Sequence, residues 1–198
     1  VEPQLDVLSV DGQALELEKY IYLMMNKPGG VVSASRDPRE RTVVDLVPEE
    51  YFRRDLFPAG RLDKDTRGLL IITNDGELAH QMLSPKKKVD KIYQAVLSAP
   101  VTPEDIEAFH RGIQLEDGTL CREAELRVVK DGGNPLVEIR IHEGKFHQVK
   151  RMVQARGKEV LSLRRIQIGG LLLDPALEEG KCRKMSKDEC KRIFIGKN

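Results

Sequence analysis

The first group in this chain placed to do chemistry is a carboxylate in front of an apolar run. Residues 60 to 68 read Gly60-Arg61-Leu62-Asp63-Lys64-Asp65-Thr66-Arg67-Gly68, and Leu69-Leu70-Ile71-Ile72 follows directly. A run of that kind suits a buried strand. Asp63 therefore sits on a loop anchored to the core, where a rigid scaffold fixes a group that stays near solvent. A carboxylate held in that way can act as a base or a nucleophile. A calcium loop would need oxygen ligands at the first, third and fifth positions and an acid at the twelfth. Counted from Asp63, those last two positions are Arg67 and Asn74, so that reading fails. A paired-carboxylate site from Asp63 and Asp65 is the weaker chemical alternative. On spacing alone, a solvated polar turn and a catalytic loop both stay open.

The elements that must position this loop follow from periodicity and caps. Tyr20 to Asn26 and Val31 to Ser35 read as strands on either side of the Pro28-Gly29-Gly30 turn. Leu69 to Thr73 is the strand behind the loop, and Asp75 caps a helix running to about Leu83. Ile92 to Leu97 is a strand. Thr102 with Pro103 opens a helix that Gly112 closes. Ala124 to Val129 and Leu136 to His142 are strands, and the second alternates as a half-exposed antiparallel strand does. Lys145 to Arg156 reads as a helix closed by Gly157, with Val149, Met152 and Val153 as its core stripe and His147, Lys150, Arg151 and Gln154 on the other side. Val160 to Ile168 returns as a strand, and Ser186 to Glu189 opens a last helix with a capping box. Strands joined by hairpins and irregular links, with a few helices, predict an α+β domain around a mainly antiparallel sheet.

Composition bounds the rest. The chain has 198 residues, 40% of them apolar, enough for one sizeable core built as two lobes. No stretch approaches the roughly 20 apolar residues that span a bilayer, and nothing at the start reads as a signal peptide. A cytoplasmic, monomeric protein with no membrane partner is the default expectation. Cys121, Cys182 and Cys190 lack metal-finger spacing and read as free thiols. The four histidines form no helical metal pair, and no phosphate loop or dinucleotide fingerprint is present. No cofactor and no metal is signalled.

Five blocks in order carry a resemblance. Gly60-Arg61-Leu62-Asp63 with Asp65-Thr66 and Gly68-Leu69 resembles the signature of pseudouridine synthases, specifically the RsuA family acting on ribosomal RNA. Lys91-Ile92-Tyr93 resembles that family's second motif, and Glu143-Gly144-Lys145-Phe146-His147-Gln148-Val149-Lys150-Arg151-Met152 its third. Met25-Asn26-Lys27-Pro28-Gly29-Gly30 and Arg165-Ile166-Gln167-Ile168-Gly169-Gly170-Leu171 are similar to further family segments. The likeness runs from about Tyr20 to about Phe194. It implies the pseudouridine synthase fold over residues 20 to 198, with a mixed, mainly antiparallel central sheet and a catalytic cleft. Residues 1 to 19 are then expected to be the remnant of a linker from an absent S4-type RNA-binding domain, with Asp11-Gly12 as a turn near its exit.

The resemblance also implies roles. Asp63 would be the catalytic carboxylate that isomerises uridine to pseudouridine, and Tyr93 would stack on the uracil of a flipped-out nucleotide. Lys150 would pair with Asp63 and favour its ionised form; many family members carry arginine there, whereas lysine is a point charge without the bidentate fork. Asp65 would brace the loop through Thr66 or the backbone, and Arg61 would occupy or brace the gap left in the RNA. The net charge of +1 hides an asymmetry, because Lys145 to Arg165 holds seven cations against Glu159 alone. With Lys86-Lys87-Lys88, this marks Lys145, His147, Gln148 and Arg151 as further RNA contacts. The wording of His147 to Met152 and of Ile168 to Leu171 resembles the small-subunit branch. The expected partner is therefore 16S ribosomal RNA in a small-subunit assembly intermediate. A large-subunit 23S synthase and a noncatalytic ribosome-assembly factor are the alternatives.

Overall fold

In the computed structural model, residues 8–10, 13–15 and 19–195 are described. The Asp11-Gly12 turn lies outside them. Two short strands, β1 (Leu8–Val10) and β2 (Gln13–Leu15), pair antiparallel. The main sheet begins with β3 (Tyr22–Lys27), continues with β4 (Phe57–Ala59) and β5 (Arg67–Thr73), and is followed by α1 (Gly76–Leu83). Then come β6 (Lys91–Leu97), α2 (Pro103–Arg111), β7 (Glu125–Lys130) and β8 (Leu136–Ile141). The chain ends through α3 (Gln148–Gln154), β9 (Val160–Ile168), β10 (Leu171–Leu172), β11 (Cys182–Lys184) and α4 (Lys187–Arg192). The order across the nine-stranded sheet is β11-β3-β5-β9-β6-β8-β7, with β4 on β5 and β10 on β9. Every pairing is antiparallel except the seam between β5 and β9, which joins only Arg67 to Arg164 and Gly68 to Arg165. Two antiparallel halves thus meet along a short parallel junction, as an α+β arrangement. Among the described residues no helix is long and apolar enough to cross a membrane.

The core has two parts, one on each face of the sheet. Leu70 and Ile72 join Leu23, Met25, Tyr93, Phe109, Val149, Met152 and Val153 in the larger, while Leu69 and Ile71 join Met24, Ala79, Met82, Ile168 and Ile193 in the smaller. The unbroken apolar run of β5 is needed because both of its faces are covered. Helices start where the sequence says they should: Asp75 accepts from the amides of Glu77 and Leu78, and Thr102 and Ser186 each form a full capping box.

Two local expectations change. Residues 31 to 35 form no strand; Val32 only bridges Thr42, and Ser33 turns its hydroxyl to the backbone of Leu62. The third-motif helix starts at Gln148 rather than Lys145, because His147 takes a left-handed backbone with φ +47° that interrupts helical hydrogen bonding.

The cations after this helix are also differently employed. Arg156 and Lys158 both bind the carboxylate of Asp105, which is 4% exposed, at 3.0 and 2.7 Å. Burial pushes that carboxyl up, but hydrogen bonds from Lys158, the Thr102 amide and Arg156 outweigh it and hold it below its ordinary value. The pair ties α2 to the end of α3. Asp105→Ala leaves two cations facing a dry gap and is expected to lower stability by about 2–3 kcal/mol, allowing for the partial exposure of Arg156. Urea unfolding at pH 7 measures this, and a loss under about 0.5 kcal/mol would mean the cluster is solvent-screened.

Candidate active site

The loop that carries Asp63 joins β4 to β5 and reaches the sheet at the parallel seam. Its shape is set from behind. In β3, period-two alternation places Lys27 after Leu23 and Met25 on the core-facing side, and the lysine is fully buried. Its ammonium donates to the carbonyls of Pro28, Asp63, Lys64 and Thr66 at 2.9, 3.1, 3.1 and 2.9 Å. The Gly30 amide also donates to Lys64 O, and the Thr66 amide to Asp63 O. Irregular backbone that would otherwise hold inward-facing carbonyls is thereby satisfied. The sequence reading gave Lys27 no role, although a charged residue at a core-facing position of a strand was the available signal.

Burial pushes the Lys27 amine down to about 8 from 10.5. Below pH 8 both folded and unfolded chains hold the proton, so the cost of burying the charge is fully present. Between about 8 and 10.5 the unfolded chain binds more protons, and that cost is relieved. Activity should therefore fall with a midpoint near pH 8 as the loop loses its cation, while global stability does not fall on account of this group. Lys27→Met should remove the pH dependence and lower kcat/KM by about a hundredfold through misplacement of the loop. Single-turnover rates across pH 6 to 10 (a range of about four units) check both, and an unchanged alkaline limb in the variant would assign that limb elsewhere.

In front of the loop lies α3. The Lys150 ammonium is 3.2 Å from Asp63 Oδ2 and 2.6 Å from Asp65 Oδ1, and His147 Nε2 is 3.4 Å from Asp63 Oδ1. Burial works against the charge on Lys150, but the two carboxylates outweigh it and hold the amine above its ordinary value. Asp65, 74% exposed, is held below the usual carboxylate range chiefly by the Lys150 hydrogen bond. Asp65 thus meets Lys150 and a backbone amide, whereas the buried Thr66 hydroxyl has no partner among the described residues. One cation between two carboxylates leaves a net negative pair facing outward.

Tyr93 lies on β6, buried against the larger core. Behind it, Arg165 of β9 is its cross-strand partner, with the guanidinium carbon 6.0 Å from the ring centroid and Nε donating to Leu69 O at 2.8 Å. Arg165 is therefore a buried brace of the tyrosine and the seam. In the sequence Arg165 stands both in a basic stretch and at the head of a family-like segment, and neither signals this bracing role.

Asp63, Thr66, Tyr93, His147 and Lys150 line one cleft of about 70 Å³, walled by Leu62, Ile141, Val149 and Leu163. That is room for about two water molecules. Arg61, Lys145 and Gln148 also line it. Gln148 is buried, donating to Glu143 Oε1 and accepting from the Lys145 amide; its amide holds the turn together. Lys145 is engaged by Glu143 and Leu120 O. Arg151 pairs with Asp117 in a separate open groove of about 850 Å³ beyond α3. Lys86, Lys87 and Lys88 sit exposed in the turn after α1, whose Leu83 abuts Gly60. The lysine turn is thus close to the start of the Asp63 loop.

The RNA pseudouridylate synthase family matches residues 21–155. The chain is 41% identical over 184 residues to ribosomal small subunit pseudouridine synthase A of Vibrio cholerae, covering 92% of this chain and 78% of that one. It is 38% identical over 190 residues to ribosomal large subunit pseudouridine synthase B of Bacillus subtilis, covering 95% and 77%. A crystal structure of a pseudouridylate synthase superposes with a TM-score of 0.81 at 35% identity, covering 89% of this chain and 75% of that one. The family match runs from β3 through the Asp63 loop and Tyr93 to α3, and the chain belongs to the RNA pseudouridylate synthase family as an RNA pseudouridine synthase.

Proposed function

We propose that this chain isomerises one uridine to pseudouridine in 16S ribosomal RNA, with Asp63 as the reacting carboxylate. The observation that carries the reading is the convergence of Asp63, Lys150 and Tyr93, from three separate elements, on one cleft. The reaction breaks the bond from uracil N1 to ribose C1′, turns the ring and joins C5 to C1′; C5 gives up its proton and N1 gains one, so the product is an isomer of the substrate. Asp63 either attacks C1′ or takes the C2′ proton to give a glycal. In both routes Lys150 and His147 orient the carboxylate, and Tyr93 offers a ring face to the base once it has left its stack. Arg61, exposed at the rim beside Asp63, is placed to fill the gap in the RNA.

The choice of 16S RNA rests on the small-subunit wording of the third motif and on the Vibrio cholerae relative. The test is to incubate the chain with 16S RNA, 23S RNA and small-subunit assembly intermediates, and to map pseudouridine by carbodiimide-stop primer extension. One new site in 16S RNA or its assembly intermediate is the expected result. A site in 23S RNA alone would transfer the substrate to the large subunit. Binding with no new site on any RNA would favour an assembly factor.

A further inference from the structure

We propose that Phe146 is a stacking platform for an unpaired base next to the target uridine, so that the substrate presents that uridine in single-stranded RNA. The proposal rests on the reading of the cleft as an RNA site. Phe146 is 73% exposed, the most open large hydrophobic side chain among the described residues. It is not loose. Its ring lies 3.7 Å from that of His147 with an interplanar angle of 19°, and His147 Nε2 touches Asp63. The left-handed backbone at His147 and the Gln148 hydrogen bonds to the Lys145 amide and Glu143 fix the turn that presents the pair.

One face of Phe146 is thus covered by imidazole and the rest of the ring is open to solvent, one residue from the carboxylate that would meet the ribose of the flipped nucleotide. A nucleotide adjoining the flipped one lies within reach of that ring. Base stacking on an aromatic needs an uncovered base face, which a paired duplex does not offer along its length. The occupant is RNA because the chain belongs to the RNA pseudouridylate synthase family and the exposed Arg61 lines the same cleft as a cation free to meet a phosphate. Phe146 is distinct from Tyr93, which faces the cleft floor.

The chain has no tryptophan, so Phe146→Trp places its one tryptophan on the platform, where it can be excited selectively over the tyrosines. The probe is a single-stranded oligoribonucleotide, compared with the same strand fully paired, with binding followed independently by anisotropy of end-labelled RNA. Trp emission should be quenched by the single strand and little changed by the duplex. Affinity for the single strand should fall about fivefold to a hundredfold in both Phe146→Ala and Phe146→Leu, and be kept in Phe146→Tyr. Single-strand binding without quenching, or Phe146→Leu binding like the parent, overturns the platform while leaving the RNA reading intact. If the parent chain binds no RNA, both fall together. The side chain is exposed, so none of these variants disturbs the core.

Discussion

Asp63→Asn is expected to lower the single-turnover rate of pseudouridine formation by at least about a thousandfold, with folding unchanged. Asparagine keeps the size of the side chain and one oxygen, which can face Lys150, and the loop backbone stays held by Lys27, so the loop does not move. What it removes is the negative charge that attacks carbon or takes a proton. RNA affinity should hold or rise slightly, since one anion facing a polyanion has been neutralised. Asp65→Asn is the matched control. It also meets Lys150, but from a more exposed position, and should cost under about tenfold. Equal losses in the two variants would mean that the cation between them, and not Asp63 itself, limits the reaction. A rate within tenfold of the parent in Asp63→Asn would remove Asp63 from the chemistry.

Gly68→Ala is expected to lower stability by about 4 kcal/mol and to abolish activity at any temperature where part of the chain stays folded. Gly68 lies in the two-residue seam between β5 and β9 with φ +101°. A Cβ there would be 2.2 Å from Arg165 O, 2.8 Å from Arg164 Cγ and 2.9 Å from Arg165 N. The first and last are backbone atoms, which cannot rotate away. The seam must part, and the Asp63 loop on one side and the Arg165–Tyr93 pair on the other part with it. Gly180→Ala calibrates the backbone term alone: its φ is +84° and nothing lies within 4 Å of an added Cβ, so about 1–2 kcal/mol is expected. Urea unfolding of the two variants, with the same single-turnover assay, separates them. Equal costs would mean the seam yields without strain.

Much of the fold could be read from the chain because local signals and tertiary demands agree. Leu69 to Ile72 is apolar without alternation and is buried on both faces; Leu136 to Ile141 alternates and is buried on one. Thr102-Pro103 and Ser186 open helices at the positions their caps require. Asp63, Tyr93 and Lys150, far apart in sequence, do share a cleft. The failures occur where long-range contacts overrule local preference. Residues 31 to 35 have strand-forming composition, yet Ser33 is needed by Leu62 and the segment forms no ladder. Lys145 to His147 could continue α3 backwards, but Gln148 draws the Lys145 amide and Glu143 together and the turn stays open. Lys27 and Arg165 look like surface cations because lysine and arginine usually are. What internalises them is a set of backbone carbonyls and a ring face that periodicity alone cannot place.

Lys27 has one further consequence. Four carbonyl oxygens converging on one positive centre are what a loop coordinating a bound ion looks like, with the ion here covalently tethered to β3. A tethered ion cannot be diluted away or exchanged for a competitor, so the order of the Asp63 loop is independent of any free-ion concentration. Its one mode of dissociation is loss of a proton. The loop's occupancy is therefore governed by an acid constant where a metal-ordered loop would be governed by a binding constant.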